Sequence, residues 1–144
     1  MELFRMHGFL KNPNLRIMAE TKIELGNCYL EIDDQGIVEL HIYPDVTLEP
    51  DDIHKIFDTI HTELPDARKL MVTAGNKATL NPEARELASS QDITDQIVAD
   101  AIVTEHYSHQ MSSNFFVRYN QPYRPTKLFK TIEEAKKWLN EVDN

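Results

Sequence analysis

Ile53, Ile56, Phe57, Ile60 and Leu64 stand at i, i+3, i+4, i+7 and i+11, and Pro65 closes the series. Shortly after comes Leu70-Met71-Val72, three apolar residues in a row. The first spacing lays one apolar stripe along a helix. The second run is too short and too uniformly apolar for a strand with a wet face, so it belongs in the middle of a sheet covered on both sides. A helix leading straight into a central strand restricts the chain to α/β architectures.

The joint that follows that strand, residues 69–85, is where a site is expected. Thr73-Ala74-Gly75-Asn76 ends the strand, a polar loop carries Thr79, and Asn81-Pro82-Glu83 opens a second helix. Asn81 suits the N-cap and Pro82 the first helical position. Loops at the carboxyl ends of parallel strands are the usual binding places in α/β domains.

The flanking segments extend the same alternation. Residues 21–43 run at period two, with Cys28, Leu30 and Ile32, then Val38, Leu40 and Ile42, on one face. Asp33-Asp34-Gln35-Gly36 turns between them, which predicts an antiparallel hairpin. Thr47 is the expected cap of the first helix, with Glu49, Asp51 and Asp52 in its first turn. The second helix has a small stripe, Ala84, Leu87 and Ala88. Residues 97–103 read as a strand, 107–119 as a third helix, and 126–129 as a short strand. The last helix opens on Thr131-Ile132-Glu133-Glu134 and buries Ile132, Ala135, Trp138, Leu139 and Val142. The predicted order is ββαβαβαβα: one α/β domain over residues 21–144, with an N-terminal hairpin, βα units, a mixed and mainly parallel sheet, and helices packed on it. Residues 1–20 lack a clean period and read as an arm.

Composition narrows the function classes. The net charge of −9 is concentrated in residues 21–68, where twelve acidic groups face three basic ones, which speaks against nucleic-acid binding there. A late basic cluster, Arg118, Arg124, Lys127, Lys130, Lys136 and Lys137, is interleaved with Tyr119, Tyr123 and Phe129 and reads as a solvated face whose aromatics pack inward. No apolar run approaches the roughly 20 residues of a membrane span. The single Cys28 cannot form an internal disulfide, which suits a reducing cytoplasm.

Residues 37–42 (IVELHI), Thr47-Leu48-Glu49, Asn81-Pro82-Glu83-Ala84-Arg85, Ser113-Asn114-Phe115-Phe116, Pro125 to Phe129 and Glu134 to Leu139 together resemble small bacterial STAS-like domains, the group that joins sulfate transporters and anti-sigma factor antagonists. The resemblance covers about Thr21 to Val142 and implies a cytoplasmic, non-enzymatic module of protein–protein switching, or, in relatives, of binding small apolar or anionic ligands. The family's antagonists carry a phosphorylated serine near the start of the second helix. Asn81 occupies that joint here, with Thr73 and Thr79 nearby, outside the aspartate–serine–serine–glycine context.

Catalytic chemistry is thinly represented. His54, Asp58 and His61 share a helix face opposite the apolar stripe and so face solvent. Glu105, His106 and His109 follow a strand end and are better placed. Asp100 interrupts an apolar strand, where it either pairs with a basic residue, lies at the wet start of the strand, or serves as a pocket carboxylate. Gly75 stands alone, so no phosphate-cradling loop and no cofactor are expected. Three readings follow: first a regulatory module that binds a protein partner or a second copy of itself; second a small-ligand carrier or sensor with a pocket between the 73–82 loop and the third helix; and last an enzyme using His106, His109 or Asp100. The residues expected to line a ligand or partner site are Thr73, Asn76, Thr79, Asn81, His106, His109, Phe116 and Tyr119.

Overall fold

Parallel β-strands need crossovers and antiparallel ones need only turns, and the chain uses both in one sheet. The structure, a computed structural model, describes residues 22–104 and 123–142. Strands β1 (Lys22–Glu24), β2 (Cys28–Ile32) and β3 (Ile37–Ile42) form an antiparallel meander. Strands β5 (Lys69–Ala74), β7 (Ala99–Val103) and β8 (Thr126–Phe129) continue from β3 in parallel, giving the order β1-β2-β3-β5-β7-β8. Two-residue strands β4 (Thr47–Leu48) and β6 (Thr79–Leu80) pair separately. The helices are α1 (Pro50–Glu63), α2 (Pro82–Ala88) and α3 (Ile132–Glu141), with one 3-10 turn at Gln91–Ile93.

The sheet separates two cores. On one face Leu30, Val38, Leu40, Ile42 and Leu70 meet the α1 stripe of Ile53, Ile56, Phe57 and Ile60, together with Ala84 of α2. On the other, Ile37, Met71, Ala99, Ala101 and Val103 meet Ala135 and Leu139 of α3. Burial on both faces is what the Leu70-Met71-Val72 run demanded, and β5 is indeed central. Each fully buried aliphatic side chain in these cores contributes about 1.5–3 kcal/mol relative to exposure.

Several expectations are corrected in detail. Residues 22–42 make three strands, because the chain turns at Gly26 (φ +95°) and pairs Lys22–Glu24 back onto β2. The turn at Asp33–Gly36 is as expected, with Gly36 at φ +81° and the Asp33 carboxylate accepting from the Gln35 and Ile37 amides. Thr47 lies in β4 and does not cap α1. Glu49 is the N-cap, and its amide donates to Asp52 Oδ2 at 2.8 Å. Asn81 caps α2 as expected, accepting from the Ala84 amide at 2.8 Å. Thr131 likewise caps α3 through the Glu134 amide. Ile132 is 37% exposed, since a residue at the first helical position precedes the turn that meets the sheet. The predicted third helix and the N-terminal arm lie outside the described residues. Among the described residues no helix is long and apolar enough to cross a membrane.

The turn after β5 is held by a close approach. A Cβ on Gly75 would lie 2.6 Å from Pro44 Cγ and 2.7 Å from Pro44 N, and the backbone nitrogen cannot swing aside. Gly75→Ala is therefore expected to lower stability by about 1–3 kcal/mol, read as a shift in the urea midpoint.

Candidate functional site

The α1/α2 face of the sheet is not completely filled. A cavity of about 110 Å³ opens between the sheet and the two helices. Leu40, Ile42, Leu70 and Val72 form its floor, Ile53, Ile56 and Phe57 of α1 one wall, and Ala74, Ala78, Thr79 and Leu80 of the 69–85 joint another. The remaining side is different in character: Arg85, Asp100 and Arg124 line it.

The charged group is built by the fold. Asp100 projects from β7 on the same face as Ile102 and is 6% exposed. Arg124, just ahead of β8, is also 6% exposed and reaches it, Nε donating to Asp100 Oδ1 at 3.0 Å. Its Nη2 donates to the Ala88 carbonyl at the end of α2 at 2.9 Å, and its guanidinium carbon lies 5.6 Å from the Phe57 ring centre. Its Nη1 is buried and has no hydrogen-bond acceptor among the described residues. Burial pushes the Asp100 carboxyl above its ordinary value, and the Arg124 charge and hydrogen bond act in the opposite direction.

The opposite face carries a second polar group at its antiparallel end. Thr73, 5% exposed, donates its hydroxyl to Glu39 Oε2 at 2.7 Å. Its oxygen is 2.8 Å from His41 Nδ1, so the proton of that bond belongs to Nδ1. The His41 ring stacks on Tyr29 and meets Tyr43 edge-on. The Tyr43 hydroxyl donates to Glu24, which pushes its pKa up to about 12. Thr73 is thus engaged on both sides and has no free hydroxyl proton.

The expected site residues separate accordingly. Thr79 lines the cavity. Asn81 is not among the cavity-lining residues; it follows Leu80 of the wall, donating to Glu49 Oε1 at 2.5 Å while capping α2. Thr73 faces the other side of the sheet, and Asn76 is exposed at the turn, its carbonyl accepting from the Asp45 amide. His106, His109, Phe116 and Tyr119 lie outside the described residues, as does the third helix expected to wall the pocket. His54, Asp58 and His61 are exposed on α1, and among the described residues no cluster of His, Cys, Asp or Glu is arranged to hold a metal ion. Cys28 is 1% exposed, and burial, helped by Asp52 and Glu24, raises its thiol to about 11.

Arg124 is the residue the sequence misplaced. It read as part of a solvated basic face with Tyr123 turned inward, yet Arg124 is buried and Tyr123 is 65% exposed. The available signal was Asp100, a carboxylate inside an apolar strand that had to find a cation.

Six strands in this order, antiparallel and then parallel, with helices on both faces, make a SpoIIAA-like (STAS-like) α/β fold. The solved structure of an uncharacterised DUF3478-family protein with a SpoIIAA-like fold from Shewanella loihica PV-4 shares this fold, with a TM-score of 0.50, 13% identity, and coverage of 78% of this chain and 91% of that one. Residues 30–143 match the Domain of unknown function DUF7793, and the chain belongs to that family. No functionally curated protein is significantly similar in sequence.

Proposed function

We propose that this domain is a small-molecule binding module, a carrier or sensor that holds an apolar ligand between its sheet and the α1/α2 pair. The observation that carries the reading is the cavity itself: about 110 Å³, walled mainly by aliphatic side chains, at the carboxyl end of a central parallel strand. Well-packed interiors leave few voids larger than a water molecule, so an apolar space of this size beside a binding joint favours a ligand. The partner-binding reading draws less support. Tyr123 and Ile132 are the large apolar side chains exposed among the described residues, fewer than an interaction patch requires. The reading includes no catalytic step: the Asp100 carboxylate is occupied by Arg124, and among the described residues no nucleophile–base pair lines the cavity.

Native mass spectrometry of protein isolated from its own host tests it. The expected result is one bound small molecule per chain, lost in an Ala74→Leu variant whose added side chain occupies the cavity while the urea midpoint stays near that of the parent. A ligand-free parent, or a ligand retained by the variant, would set the reading aside.

A further inference from the structure

We infer that the antiparallel end of the sheet, on the side away from the cavity, is a docking surface for an arginine-bearing segment of a partner protein. Alternation along β1, β2 and β3 brings Glu24, Tyr29 and His41 into one cross-strand row, and Glu31 and Glu39 into a second row on the same side. Thr73 of β5 continues the first row beside His41. Among the described residues α3 is the helix on this side, and it packs on β5, β7 and β8. Tyr29, Glu31, Glu39, His41 and Tyr43 are left partly exposed, and Glu24 is exposed. The surface is independent of the cavity, which lies across the sheet.

The chemistry of the two rows favours a cation, and a planar one. Aromatic rings present a negative face to positive charge, and Lys22 Nζ lies 4.4 Å from the centre of the Tyr29 ring. His41 stacks on Tyr29 and meets Tyr43 edge-on, so the three rings form one surface. Because Nδ1 of His41 donates to Thr73, Nε2 of the neutral ring is an acceptor. Glu24 and Glu39 accept from the hydroxyls of Tyr43 and Thr73, neutral donors that bring no compensating charge. Glu31 and Glu39 stand directly opposite each other, a placement of like charges that a cation relieves. Burial and the charges of Glu39, Glu31 and Glu24 raise the Tyr29 hydroxyl above its ordinary value, as an acidic surface should. The twelve acidic groups against three basic ones in residues 21–68 extend that field and draw a cationic partner in. Arginine suits the surface better than lysine, because a guanidinium stacks on rings while it forks onto carboxylates. Rows spread over three strands receive a chain rather than a single small ion, and such a pairing needs no exposed apolar patch.

Fluorescence anisotropy of the full chain with a labelled octa-arginine peptide tests this, at about 0.15 M salt so that distant charges are screened. Tyr29→Leu/Tyr43→Leu changes no charge and is expected to weaken binding at least about tenfold, the margin of two lost ring contacts. Asp58→Asn/Glu63→Gln removes two exposed carboxylates from α1, across the sheet, and is expected to stay within about twofold of the parent. Amide NMR shifts of the wild type locate the contact even if the tyrosine variant does not fold, and they are expected on residues 22–24, 29–31 and 39–43. Binding retained by the tyrosine variant, equal weakening in both variants, shifts centred on α1, or no binding at all overturns the inference. Self-association of the chain alone that the tyrosine pair abolishes also overturns it, by giving the face to a second copy.

Discussion

Asp100→Ala is expected to destabilise the domain by about 3–5 kcal/mol, a large part of the roughly 5–15 kcal/mol that holds a domain of this size together. The substitution removes more than one contact. Both partners are 6% exposed, so Arg124 would keep its charge in the interior with the Ala88 carbonyl as its remaining bonded acceptor. Its side chain would have to leave, drawing the start of β8 away from β7, where the Asp100 amide donates to the Pro125 carbonyl. The pair itself is worth far less than this cost of breaking it, because two desolvated charges roughly offset their attraction. The double variant Asp100→Leu/Arg124→Met is thus expected to recover most of the loss. Urea denaturation of the two single variants and the double checks this. A loss below about 1 kcal/mol in Asp100→Ala would mean that the pair is solvated and the site is open.

Leu139→Ala, on the other side of the sheet, is expected to cost about 3–5 kcal/mol. Leu139 is fully buried against Ala99, Ala101 and Val103 of β7, with Ala135 one turn earlier. Those alanines let α3 approach the sheet closely, and they have no side-chain length with which to fill the space that a lost isobutyl group leaves. The cavity term therefore adds to the transfer term with little relaxation. Trp138, the single tryptophan, packs beside this site with its ring 5.6 Å from that of Phe129, so its fluorescence reports the loosening directly. Ile132→Ala at the exposed start of the same helix serves as the control and is expected to stay within about 0.5 kcal/mol. Equal losses at the two positions would contradict this placement of α3.

Helix α1, strand β5 and the Asn81-Pro82 cap were legible because each rests on local chemistry: a 3.6-residue period, an uninterrupted apolar run, a side chain bonding its own helix end. The 69–85 joint, singled out by the same logic, supplies Ala74, Ala78, Thr79 and Leu80 to the cavity wall. What escaped was tertiary. Strands of two or three residues, β1, β4 and β6, are too short to show a period and exist through their partners. Arg124 looked like a surface cation because its residue type is nearly always exposed, and its reason for burial lies 24 residues earlier in Asp100. Thr73 and Thr79, neighbours in the loop by sequence, were divided between opposite faces by the pleat and the turn at Gly75.

The β4–β6 ladder has a mechanical consequence. The Thr79 amide donates to the Val46 carbonyl and the Asn81 amide to the Leu48 carbonyl, while Asn81 Nδ2 reaches Glu49 Oε1. Glu49 and Asn81 are the caps of α1 and α2, so the beginnings of both helices are buckled to each other next to Leu48, Thr79 and Leu80 of the cavity wall. Neither helix can fray at that end without unfastening the other, and the amides of residues 79 and 81 should exchange with solvent as one cooperative unit. Local opening of the two helices is expected first at their far ends, where α2 gives way to the Arg124 contact at Ala88.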